Sequence, residues 1–120
     1  MILVDTSVWV DHFRVRIEQL GSLIEAEQVF GHPYVTGELA VGDLRDWHAA
    51  VSALRALPQA KIASEQSFLD LLAGHNLVAS GLGFVDVHLL ASCRLGDTML
   101  WTHDKRLERC AEGLGLSWSN

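Results

Sequence analysis

Cysteine is scarce in this sequence. Cys93 and Cys110 are the only two, both fall in helix-like stretches, and they form no Cys-x-x-Cys pair. Neither a disulfide framework nor a cysteine-ligated zinc site is expected, and both thiols read as buried groups in a reducing compartment. Long apolar runs are missing as well. No stretch reaches the roughly 18 consecutive apolar residues needed to cross a bilayer. The opening MILVDTSVWVDHFR has no basic segment ahead of an apolar core, so no secretory signal is read there and the expected address is the cytoplasm. Positive charge is in short supply: nine Lys and Arg stand against fifteen Asp and Glu, a net charge of -6. A general nucleic-acid binder carries a basic surface, and that class is disfavoured. A protein that meets phosphates locally through metal ions, or that engages a basic partner segment, remains compatible with the balance.

Several catalytic signatures are absent too. The six histidines show no His-Glu-x-x-His spacing, the serines no Gly-x-Ser-x-Gly setting, and no Gly-rich phosphate loop precedes a helix. There is no internal repeat, low-complexity tract or linker. What is present is a chain of 120 residues, 49% hydrophobic and 20% charged, which suits one domain over residues 1–120 around a single core.

Short apolar runs alternate with helical patterns. Ile2-Leu3-Val4 reads as a central parallel strand, followed by a helix from Thr6 to Phe13 and a second from Ile17 to Ala26. Gln28–Phe30 is a brief strand. Pro33 pre-sets the first turn of a helix reaching Val41. A further helix is expected over Asp43–Ala56, ended by Pro58, then a strand at Lys61–Ala63 and a helix from Ser64 to Gly74. The Ser80–Gly83 loop leads into a strong helix, Phe84–Leu95. Met99–Trp101 reads as a strand, His103–Leu114 as a helix and Leu116–Trp118 as a last strand. The alternation predicts an α/β/α sandwich on a central parallel β-sheet of about five short strands.

Four acids stand out against that frame. Asp5 ends the first strand, where it reads either as a helix N-cap or as a ligand at the carboxyl edge of a parallel sheet. Asp104 follows the Met99–Trp101 strand and carries the same two readings. Asp86 lies in the first turn of its helix within Phe84-Val85-Asp86-Val87, with Leu89, Leu90 and Cys93 on its face. Glu38 has Tyr34, Val35, Val41 and Gly42 one turn away, which predicts a carboxylate turned toward the core; a surface Glu on a partly exposed helix is the alternative. Converging carboxylates repel unless some are protonated or a cation neutralises them. Oxygen-only ligands suit Mg²⁺ or Mn²⁺ rather than zinc.

Other charged groups have ordinary readings. Asp11 is placed to pair with Arg14, Asp43 and Asp46 fall at a helix start, and Asp97 in a Gly-Asp turn. His88 and His103 flank the presumed site, as substrate contacts or as satisfied or solvent-exposed imidazoles. Lys105 and Arg106 open the helix after Asp104, either meeting a phosphate backbone or forming a solvated face.

Four segments in order carry a family resemblance: Met1–Trp9, Glu38-Leu39-Ala40, Gly83–Ala91 and Leu100–Leu107. Together they resemble the VapC toxins, PIN-domain endoribonucleases of type II toxin–antitoxin systems, and the match spans the chain. The resemblance implies a PIN-like fold and magnesium-dependent cleavage of structured RNA. It makes Asp5 and Asp86 the principal metal ligands, with Glu38 and Asp104 completing the pocket partly through water. Thr6 and Thr102 fall where hydrogen bonds to carboxylates or waters are expected. A homodimer and a VapB-type antitoxin are implied as well. The antitoxin tail would offer an Arg or Lys to the acids, and its apolar residues would meet Trp9, Phe13 and Leu20, unless these pack in the core. A phosphoacceptor module of the receiver kind is the main alternative. It needs an acidic pair after the first strand and a phosphorylatable Asp after the third, and neither is found.

Overall fold

Ile2, Leu3 and Val4 form the middle strand of the sheet, and all three are buried. Side chains of a strand alternate between faces, so this complete burial means that both faces are covered, as in α/β proteins. The computed structural model describes residues 1–119. β1 (Ile2–Val4) lies between β2 (Val29–Phe30) and β3 (Met99–Trp101), and both pairings are parallel, with Val4 opposite Trp101. Seven helices complete the described residues: α1 Thr6–Arg14, α2 Glu18–Glu25, α3 Pro33–Val41, α4 Trp47–Arg55, α5 Glu65–Gly74, α6 Phe84–Gly96 and α7 Lys105–Gly113. None is long and apolar enough to cross a membrane.

The α/β reading and the parallel sheet hold, while the described residues contain three strands rather than about five. The two others shrink to single parallel bridges, Gly31 with Gln59 and Leu100 with Ser117. Expected strand Lys61–Ala63 is not in the sheet. After one exchange of bonds with Gly31, through Pro58 O and Ala60 N, the chain leaves the ladder. The Lys61 carbonyl then accepts from the Ser92 hydroxyl at 2.7 Å instead of from a strand. At the other edge Leu116–Trp118 makes one such exchange with Leu100 and stops. The helix expected from Asp43 begins only at Trp47, because Gly42 closes α3 with its N–H on Glu38 O.

The core gathers around β1 and α6. Residues Val87 to Cys93 of α6 are buried all round, which marks it as the central helix rather than an amphipathic cover. It packs against β3 and α5, while α3 packs against α1 and α4. Trp9 and Leu20 belong to this core, so the expectation that they line a partner groove is corrected; of that trio only Phe13 is exposed. Cys93 is buried, and burial pushes its thiol up to about 12, which makes it inert; Cys110 is half-buried and also free.

Candidate active site

The order β2-β1-β3 brings the ends of β1 and β3 side by side, at the point where connections leave the sheet in opposite directions. Open α/β sheets bind ligands at such a carboxyl edge. Asp5 follows β1 directly, its N–H bonded to Trp101 O at 2.9 Å, and it is 5% exposed. Thr102 follows β3 and donates its hydroxyl to Asp5 Oδ2 at 2.7 Å. Ser7 donates to the same oxygen at 2.7 Å, and its N–H approaches at 3.4 Å in an N-cap arrangement. Each hydroxyl has one proton, and both protons go to Asp5. The 3.2 Å approach of Ser7 Oγ and Thr102 Oγ1 is therefore proximity imposed by a shared acceptor. Their remaining lone pairs accept from His103 N–H and Asp104 N–H, at 2.9 and 3.0 Å.

Asp104 caps α7 as read from the sequence: Oδ1 accepts from Arg106 N–H and Leu107 N–H at 2.9 and 3.0 Å. Asp86 Oδ2 accepts from Gly83 N–H at 3.0 Å, across the first turn of α6. Burial holds the Asp86 carboxyl above its ordinary value; the Gly83 bond opposes the rise, and the negative charges of Asp5 and Asp104 add to it. These three acids thus share one electrostatic neighbourhood. Glu38 is tied in from the side, accepting from the Thr6 hydroxyl at 2.6 Å. Its side chain is not turned into the core. Glu38 is exposed, and with Thr6 it lines a surface groove of about 350 Å³ that also includes Phe13, Leu44 and Arg45.

One pattern joins the four. Among the described residues, every hydrogen bond to the side-chain carboxylate of Asp5 or Asp86 falls on Oδ2, every one to that of Asp104 on Oδ1, and the one to that of Glu38 on Oε1. In each carboxylate one oxygen is anchored by the protein and the other takes no protein donor. That donor set fits a hard divalent cation. No three His, Cys, Asp or Glu side chains of the described residues converge into an all-protein shell. The fit is thus to an ion that keeps much of its water, as Mg²⁺ does.

Thr6 donates to Glu38 and Thr102 to Asp5. Ser7 was missed: in the sequence it reads only as a helix opener, although an Asp-x-Ser step at a helix start is the signal of a hydroxyl folding back onto the acid. Asp11 does not pair with Arg14; it binds His103 Nδ1 at 2.6 Å, which satisfies that exposed imidazole. His88 is buried against the rings of Tyr34, Phe68 and Phe84. A second groove, of about 380 Å³, runs beside Asp86 and Asp104 and is lined by Gly81, Leu82, Lys105, Arg106 and Arg109. Arg109, one turn beyond Lys105, was not singled out in the sequence. Arg106 is engaged, its Nη1 donating to Gly81 O at 3.2 Å.

The PIN domain family model matches residues 2–113. Two curated relatives, both named Ribonuclease VapC32 and from two strains of Mycobacterium tuberculosis, are each 40% identical over 120 residues, covering 98% of this chain and 97% of theirs. The parallel sheet, the acids at its carboxyl edge and both similarities agree: the chain belongs to the PIN-domain family, in its VapC group.

Proposed function

We propose that this protein is a metal-dependent endoribonuclease, the toxin of a type II toxin–antitoxin pair, acting in the cytoplasm as a homodimer. The observation that carries the reading is the shared habit of Asp5, Glu38, Asp86 and Asp104, each with one oxygen anchored and one unused. Asp5 and Asp86 would hold Mg²⁺ or Mn²⁺ directly, with Glu38 and Asp104 reached through water. Such an ion, when bound, polarises a phosphodiester and makes a water more acidic. The protein supplies the rest. Thr102 and Ser7 fix the Asp5 carboxylate, Gly83 N–H fixes Asp86, and Thr6 fixes Glu38. The unused oxygens of Glu38 and Asp104 would accept hydrogen bonds from a water beside the scissile phosphate, orienting it for attack on phosphorus. One of these carboxylates would take the proton that water loses, while the P–O bond to the leaving oxygen breaks and that oxygen takes a proton from solvent. Lys105 and Arg109 line the adjoining groove, where RNA phosphates meet positive charge on an otherwise acidic protein.

A VapB-type antitoxin would silence the enzyme. Phe13, Leu44 and Arg45 line both the Glu38 groove and an apolar groove of about 330 Å³ that continues past Ala49 and Ala50. An extended tail lying there would place apolar residues on Phe13 and a basic residue at the acids. The phosphoacceptor alternative is set aside, because a single acid, Asp5, follows β1 and Ser64, not an Asp, follows the Lys61–Ala63 stretch where that design needs its phosphorylated residue.

The deciding experiment is cleavage of a structured RNA by the purified protein with Mg²⁺ or Mn²⁺ and with EDTA. Cleavage restricted to the metal-containing reactions is expected; full activity in EDTA would refute the metal site. Co-expression with the small open reading frame next to the gene should yield a complex without RNase activity. A chain harmless to growth when expressed alone, with no co-purifying partner, would end the toxin reading and leave the nuclease reading standing.

A further inference from the structure

Arg106 has the sequence position of a phosphate contact but the geometry of a clamp. Its Nη1 donates to Gly81 O at 3.2 Å, and the end of its side chain occupies the open side of that glycine. A Cβ at residue 81 would stand 2.6 Å from Nη1 and 3.0 Å from Cζ. Gly81 also sits at φ +89, in the left-handed region that disfavours any other residue. The segment it belongs to connects α5 to α6 outside any helix or strand, with Asn76 and Ala79 also at positive φ. Its backbone is tied down by isolated turn contacts, such as Ser80 N–H to Leu77 O at 3.1 Å, rather than by a ladder. Two residues after Gly81 comes Gly83, whose N–H holds Asp86 Oδ2.

We propose that Arg106 is a positioning residue for the metal ligand Asp86: by gripping Gly81 it fixes the loop whose Gly83 N–H aims that carboxylate. The proposal rests on the metal-dependent reading given above. It divides the cations of α7 into two jobs. Arg106 sets the carboxylate through the loop, while Lys105 and Arg109 in the same groove remain for substrate phosphates. Groups that orient a ligating carboxylate typically change metal affinity or activity by about 10–100-fold when lost.

The test uses Mn²⁺ titrations of the whole protein, read both by thermal shift without RNA and by RNA cleavage. Arg106→Ala should raise the half-saturating Mn²⁺ concentration about tenfold in both readouts, with KM for RNA changed less than about twofold. Arg106→Lys should recover part of the loss, because an ammonium still donates to Gly81 O but leaves the space of the larger guanidinium beside the glycine unfilled. Gly81→Ala keeps the charge of Arg106 but displaces it and strains the loop at φ +89, so it should weaken Mn²⁺ binding, and adding Arg106→Ala to it should cost little more. A wild-type Mn²⁺ midpoint in Arg106→Ala with a raised KM would overturn the clamp and make Arg106 a phosphate contact. Wild-type Mn²⁺ binding in Gly81→Ala would overturn it independently. Should the unmodified protein show no Mn²⁺ shift at all, the metal reading itself falls and takes the clamp with it.

Discussion

His32 is fully buried at the start of α3, the helix that delivers Glu38, and its contacts leave it a single tautomer. Tyr34 N–H donates to Nδ1 at 3.0 Å, so that nitrogen carries no proton. Nε2 therefore carries it and donates to Ser92 Oγ at 3.0 Å, and Ser92 passes its own proton to Lys61 O. A second proton would have to enter Nδ1 against the Tyr34 N–H. Burial, with the neighbouring His88 adding to it, pushes the His32 pKa from 6.5 down to about 4. As pH falls between those values, the unfolded chain takes up a proton that the folded chain refuses. This contribution to stability is complete above the unfolded pKa and is lost progressively down to the folded one. At about 1.4 kcal/mol per pKa unit, the loss approaches about 3 kcal/mol near pH 4. Urea unfolding from neutral pH to about pH 4 measures it, compared with His32→Asn, whose amide oxygen can still cap Tyr34 N–H but does not titrate. Other titrating groups are shared by both proteins and cancel in the difference. The advantage of the wild type over the variant should shrink by about that amount on acidification. Parallel pH profiles would refute the argument, as would an NMR signal of His32 that protonates near the ordinary imidazole value.

Three further outcomes are expected. Asp86→Asn should lower RNA cleavage more than about a hundredfold. In EDTA it should also raise the midpoint of thermal unfolding, since it relieves a half-buried carboxylate of its repulsion with Asp5 and Asp104; a lower midpoint would speak against the shared negative field. Lys105→Gln with Arg109→Gln should raise KM and flatten the dependence of log affinity on log salt by about 1.4 for single-stranded RNA, with an unchanged slope counting against both as phosphate contacts. Phe13→Asp should abolish association with the antitoxin while leaving cleavage by the free protein within about twofold, because Phe13 is 38% exposed in the groove rather than packed in the core. Co-purification and an RNase assay on the same preparation check both halves.

The parts of this molecule legible from sequence were those set by local pattern. β1 is three apolar residues buried on both faces, and Asp5 and Asp104 stand at the end of strands because turn chemistry and capping put them there. What escaped was decided by partners far along the chain. Asp11 has a ready cation three residues away, yet His103, 92 residues distant, is the one it binds. Lys61–Ala63 has strand composition, but the Ser92 hydroxyl claims the Lys61 carbonyl and the ladder ends. Glu38 misled for a related reason. Its apolar neighbours suggested an inward face, but α3 ends there, and Val41 beside it is 87% exposed. The helix turns Glu38 to the surface groove, where Thr6 of α1 meets it.

The contact between Thr102 and Asp5 spans 97 residues, and β1 pairs with β3 over the same distance. The Asp5 carboxylate acquires two of its anchors, Thr102 directly and the Ser7 arrangement braced by His103 N–H, only when the far segment is in place. A nascent chain holding β1, β2 and the first five helices has no β3 to complete the edge on which the acids meet. Closing so long a loop is also slow compared with local helix formation. The edge on which these acids stand is therefore closed by a pairing between segments 97 residues apart, and it is completed only together with the sheet itself.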